Sequence, residues 1–267
     1  MLIIGETINP AVPAVAQALK ARDSAFFREL AAEQAKAGAD YLDVCATVRR
    51  GEWEALHWLI DTVQEAVELP LCLDSADASL LVEAMDWCRK PGILNSFSLE
   101  RDKADQILPA LAGTNWQAIG LLCEKGIPAS TKERLSVLDR IMKKAAQYGV
   151  QPSQLFFDPM VEMVCTSENG ALTALTTIRA VRERGMRTAA AISNVSYHMP
   201  VRTAFHESFL TLAMAAGLDA AILNPRDREL MAVQYAAAAL LGEDFYCQSF
   251  LEAYRDDLFG PANKRRF

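Results

Sequence analysis

Leu71-Cys72-Leu73-Asp74-Ser75 is a three-residue apolar run closed by a carboxylate, and residues 78–88 after it repeat apolar side chains every three or four positions. A run too short for a helix, followed by an amphipathic segment, describes one β-strand and the helix that returns from it. The same couplet recurs along the chain. Further apolar runs stand at 2–4, 41–42, 93–94, 118–122, 155–157, 188–192 and 220–223, and helical spacing occupies 12–36, 54–67, 103–111, 135–148, 171–184, 201–216 and 227–241. Gly38, Gly149, Gly185 and Gly217 stand where helices stop. Eight strands, each followed by a helix, predict an α/β fold closed into a (β/α)8 TIM barrel, while periodicity alone leaves a doubly wound open sheet as the other topology. No linker or composition shift divides the chain, so 1–267 reads as a single domain, with 245–258 as a closing helix and 260–267 as a loose tail.

Composition narrows the function classes. A formal net charge of −7 repels phosphate backbones, and the short basic cluster Lys264-Arg265-Arg266 is too small to reverse that, so nucleic acid is not an expected partner. The apolar opening of residues 1–4 is too short for a secretory leader, and no charge-free stretch approaches membrane-spanning length; a cytoplasmic protein with no membrane partner is expected. The six cysteines (45, 72, 88, 123, 165 and 247) form no Cys-x-x-Cys pair, and reduced thiols follow from that context.

In such a barrel, chemistry is built at the C-terminal ends of the strands. The residues that follow the eight runs are Glu6, Asp43, Asp74, Asn95, Glu124, Asp158, Asn194 and Asn224, with Asn9 just beyond the first. Each one alone reads equally well as the cap of the next helix. Together they are a ring of acceptors and amides suited to a planar heterocycle whose edge carries N–H donors and a carbonyl. A magnesium site from Asp43, Asp74 and Asp158, or a Schiff base at Lys125, is the other chemistry the rim leaves open. Three histidines, His57, His198 and His206, supply a zinc or non-haem iron site poorly, so no bound metal is expected.

The motifs IIGETIN (3–9), LCLDS (71–75), ILNS (93–96), FFDP (156–159), ISNVS (192–196) and AMAAGLDAAI (213–222) occur in order on successive predicted strands. With them the chain resembles the pterin-binding methyltransferase family, and within it the stand-alone methyltetrahydrofolate:corrinoid protein methyltransferases. The resemblance implies a methyl group moved, in either direction, between N5 of tetrahydrofolate or 5-methyltetrahydrofolate and the cobalt of a corrinoid. It implies Asp74, Asn95 and Asp158 as holders of the pterin edge and Asn194 as the amide that approaches N5, with Asn194 and Asp158 as the catalytic pair. Glu6 and Asn9 match its opening motif in a supporting part, and Asp43 falls in the floor. Arg202, Arg49 and Arg50 are candidates for the anionic folate tail, with solvated loop cations as the bland alternative. No Asp-x-His-x-x-Gly loop is present to ligate cobalamin, so the corrinoid is expected on a separate corrinoid-binding protein. The resemblance further implies a homodimer. The chain departs from the family pattern at Cys45, Tyr197-His198 and Asn224. A metal- or lysine-dependent lyase and a non-catalytic folate-binding barrel stay open beside the methyltransferase.

Overall fold

In a computed structural model the chain is described over residues 1–47 and 51–260. Eight strands alternate with helices: β1 (Leu2–Ile8), α1 (Pro13–Ala21), α2 (Ser24–Lys36), β2 (Tyr41–Cys45), α3 (Glu52–Gln64), β3 (Leu71–Asp74), α4 (Ala78–Ala84), β4 (Ile93–Phe97), α5 (Lys103–Leu111), β5 (Gln117–Leu121), α6 (Thr131–Gln147), β6 (Leu155–Asp158), α7 (Gly170–Glu183), β7 (Arg187–Ala191), α8 (Arg202–Ala216), β8 (Ala220–Leu223), α9 (Arg228–Leu240) and α10 (Gln248–Arg255). The strands pair in parallel in chain order and β8 closes on β1, so the sheet is a barrel and the open-sheet alternative is gone. No helix among the described residues is long and apolar enough to cross a membrane.

Two apolar layers hold it. Between sheet and helices lies a large core that includes Leu42, Leu73, Leu94 and Phe157 from the strands and Phe27, Leu59, Ile107 and Ile141 from the helices. Inside the barrel Ile4, Cys72, Ile93, Ile119, Phe156, Ala189, Ala220 and Ile222 pack together. Because successive strand residues face opposite sides, these inward residues set which later positions also face the axis. Glu6, Asp74, Asn95 and Asp158 each lie two residues beyond an inward apolar side chain. The opposite end is closed by Arg187, which lies 4.0 Å over the Phe156 ring and donates to Gln117 Oε1 at 2.9 Å and to the Ser153 carbonyl.

Several boundaries differ from the sequence reading. The segment 12–36 is two helices, because Arg22 turns into the left-handed region at φ 53° and Asp23 starts α2 by accepting from Phe26 N–H at 3.1 Å. α6 begins at Thr131 rather than 135, since Ser130 and Glu133 form a reciprocal capping box. The closing helix is shorter than 245–258: Tyr246 and Cys247 both take positive φ, so α10 starts only at Gln248 and ends at Arg255. Most of the tail, residues 261–267, falls outside the described residues.

Candidate active site

The mouth is built where the inward parity of the strands meets polar residues. Asp74 ends β3 in register with Cys45 of β2 and Asn95 of β4, so a thiol, a carboxylate and an amide form one row across three strands. Asp43 lies one step deeper, almost fully buried, and accepts from Asn95 Nδ2 at 3.0 Å. That bond orients the Asn95 amide and leaves its carbonyl oxygen available to a ligand N–H. Across the barrel, Asp158 ends β6 opposite Leu121 and accepts from Met160 N–H at 2.7 Å, which turns the chain away from the strand.

Electrostatics follow from crowding acids out of water. Burial pushes the Asp43 carboxyl up to about 8, and the neighbouring Asp74 charge adds to this, with the Asn95 bond opposing. Burial also raises Asp74, against a Cys45 hydrogen bond and with the Glu52 charge adding to it. Asp158 rises to about 6 by burial, opposed by the Met160 N–H and the Arg134 charge, and Glu6 to about 7 by burial, opposed by Ser193 and Arg202. The Cys45 thiol is pushed to about 12, mainly by burial and by Asp74, and stays protonated.

A raised carboxyl pKa means that the folded chain holds protons which the unfolded chain has released above about pH 4, so stability must fall as pH rises through this window. The ligand-free protein is therefore expected to lose melting temperature between about pH 5 and 8. Asp43→Asn, which mimics the protonated acid, should flatten the upper part of that profile. A variant melting profile parallel to that of the unsubstituted protein across this range would show that Asp43 is not the group responsible.

After β7 the chain makes a 3-10 turn over Ile192–Ser196 that carries Asn194. The residues around it are tied down. Ser193 Oγ donates to Glu6 Oε2 at 3.0 Å, Val195 C=O accepts from Val164 N–H at 3.0 Å, and Ser196 Oγ lies 2.7 Å from His206 Nε2. The Asn194 side chain is half-buried and makes no hydrogen bond to any described residue, so its amide's donors and acceptor are unspent within the protein.

The remaining predicted positions divide clearly. Asn9 Oδ1 accepts from Ala11 N–H at 2.9 Å and shapes the turn into α1. Glu124 leaves the ring: it lies three residues past the end of β5, where inward parity no longer applies, and pairs with Arg140 of α6 at 2.8 Å. Asn224 closes its own turn by accepting from Arg226 N–H at 3.0 Å. The Arg202 guanidinium is turned into the 192–197 segment, and Arg49 and Arg50 lie outside the described residues. His57 stacks on Trp87 on the outer surface, 4.5 Å between ring centres. Among the described residues no three His, Cys, Asp or Glu side chains are placed to hold a metal ion, so Asp43, Asp74 and Asp158 do not converge on one.

Sequence reasoning passed over Arg134. It is fully buried and donates to the carbonyls of Pro128, Pro159 and Met160 and to Glu162 at 2.7 Å, fixing the loop that follows Asp158. Its signal was present: Arg134, Val137, Leu138, Ile141 and Ala145 share the buried stripe of α6, and an arginine on such a stripe must have partners inside.

Carboxylates and amides thus end the strands at one end of a closed parallel barrel, and the pterin binding enzyme family model matches residues 13–224. The chain belongs to the pterin-binding enzyme family. It is 36% identical, over 99% of its length and 100% of the other, to a methylcorrinoid:tetrahydrofolate methyltransferase of Eubacterium limosum. Solved dihydropteroate synthases share the fold: that of Xanthomonas albilineans superposes with a TM-score of 0.66 at 15% identity, covering 90% of this chain and 91% of that one. That of Yersinia pestis gives 0.67 at 14% identity over 90% and 93%. At such identities the likeness concerns the barrel alone.

Proposed function

We propose that this protein transfers a methyl group between N5 of tetrahydrofolate and the cobalt of a corrinoid carried by a separate protein, with the methylated corrinoid as donor. The observation that carries this reading is the end-to-end similarity to a relative whose name states that donor and that acceptor. The site chemistry supports it. Asp74 and Asn95 on one side and Asp158 on the other supply acceptors for the N–H edge of a pterin, and Asn194 supplies an amide that both donates and accepts. In this reading the corrinoid is a second substrate, delivered by a separate corrinoid-binding protein, in keeping with the relative's name, which pairs a methylcorrinoid with tetrahydrofolate. The enzyme works in the cytoplasm without a bound metal and as a homodimer of 29.3 kDa chains, the last open to a light-scattering mass measurement.

In this direction the lone pair of N5 attacks the methyl carbon, the bond to cobalt leaves with its electrons, and N5 sheds its proton. The chain must therefore hold charge at N5 and take up a proton near neutrality. Asn194 suits the first task, since an amide can turn between accepting from N5–H and donating to the neutral amine. Asp158 and Glu6, raised to about 6 and about 7 by burial, suit the second, because a proton acceptor works best when its pKa lies near the working pH. In reverse, the same groups return the proton that makes N5 a leaving group. Methyl transfer from methylcobalamin, free or protein-bound, to tetrahydrofolate by the purified protein is the direct test; a lyase would be indifferent to both compounds, and a binding-only barrel would take up folate and turn nothing over.

A further inference from the structure

Arg202 opens α8 immediately after Val201, which takes a left-handed conformation at φ 51°. Its guanidinium does not point into solvent. Nη2 donates to the Ser193 carbonyl at 3.0 Å, Nε donates to Ser196 Oγ at 3.0 Å, and the charged plane lies 4.8 Å from the centre of the Tyr197 ring. Ser196 Oγ, also 2.7 Å from His206 Nε2, completes the cluster. These contacts bracket Asn194 on both sides in sequence. With Ser193 tied to Glu6 and Val195 to Val164, the turn is held at every residue adjoining Asn194, while the Asn194 amide is left unbonded.

We infer that Arg202 is a positioning residue, which acts through Ser193 and Ser196 to fix the turn that presents Asn194, and is not an anchor for the anionic tail of folate. The inference rests on the reading of Asn194 as the group that meets N5. The requirement is geometric: a planar fork reaches a carbonyl and a hydroxyl at once, and its stacking on Tyr197 fixes the plane. A lysine keeps the charge, but its three donors radiate from one mobile nitrogen, so it does not reproduce two contacts made from separate nitrogens of a rigid plane lying over Tyr197. Loss of the fork lets the turn relax, and displacement of a reacting group by about 1 Å costs on the order of 100-fold in rate.

The test is a double-substitution cycle with Asn194→Ala, read as single-turnover methyl transfer at saturating tetrahydrofolate, alongside folate affinity. Arg202→Ala and Arg202→Lys should each lose roughly ten- to 100-fold in rate. Affinities for mono- and polyglutamylated folates should stay within about threefold of the unsubstituted protein, and on the Asn194→Ala background either change should cost less than about threefold, because distortion of the turn has nothing left to misplace. If Arg202→Ala fails to fold, the lysine variant alone decides, since a tail anchor survives that change and the fork does not. Additive rate losses, or an effect confined to affinity for the polyglutamyl tail and rescued by lysine, overturn the inference while leaving Asn194 in place. An Asn194→Ala variant of full activity would instead remove the reading on which the inference stands.

Discussion

Asn194→Ala is expected to bind tetrahydrofolate within about tenfold of the unsubstituted protein and to lose at least about 100-fold in single-turnover methyl transfer. The asymmetry follows from where the residue sits. The turn over Ile192–Ser196 is secured by bonds from Ser193, Val195 and Ser196, none of which involves the Asn194 side chain, so its removal leaves the turn in place. What disappears is a half-buried amide on the turn after β7 that has no protein hydrogen-bond partner among the described residues. A contact that strengthens as charge changes at N5 stabilises the transition state more than the ground state, and its loss falls on the chemical step. An enzyme that lost affinity in this variant while keeping its rate at saturating folate would make Asn194 a binding residue only and move N5 stabilisation to Asp158, Glu6 or the corrinoid partner.

Asp74→Ala should show the opposite balance, with folate affinity down by at least about tenfold, since an unpaired buried N–H costs roughly 1–3 kcal/mol. Asp74 is the inward-facing end of β3 and shares a row with Asn95, whose amide is already oriented by Asp43. Without the carboxylate, ring N–H groups enter the mouth and lose water with nothing to accept them. The substitution also removes one of the charges that raise Asp43, so the ligand-free variant should be no less stable near neutral pH even as it binds poorly. Calorimetric titration with folate, paired with thermal unfolding of the apo protein, separates the two effects. Unchanged affinity in the folded variant would remove Asp74 from the pterin site.

Much of the fold was legible because the rhythm of the barrel is written in local chemistry. Short apolar runs such as 71–73 and 155–157 cannot be helices, and an unbroken alternation with amphipathic segments has few closed solutions. The candidate site was legible where strand parity carried it: Glu6, Asp74, Asn95 and Asp158 sit two residues past an interior side chain, so their direction follows from the strand itself. Legibility ended where the strand ended. Glu124 is three residues beyond β5 and was drawn outward to Arg140; Asn224 found its partner in the next turn; and Arg202 reached back six and nine residues to Ser196 and Ser193. Loop side chains choose partners by three-dimensional proximity, which spacing along a chain does not encode. Asp43 is a mixed case: the resemblance implies a position in the floor or behind it, while its burial beside Asp74 and its raised pKa needed the folded barrel.

The most direct measurement is methyl transfer itself. Purified protein mixed with tetrahydrofolate and methylated corrinoid, supplied as free methylcobalamin and as a methylated corrinoid protein, should yield 5-methyltetrahydrofolate together with the spectral signature of demethylated cobalamin, in equal amounts and without added metal. Tight folate binding with no methyl transferred from either donor, under conditions where an authentic methylcorrinoid:tetrahydrofolate methyltransferase turns over, would contradict the account.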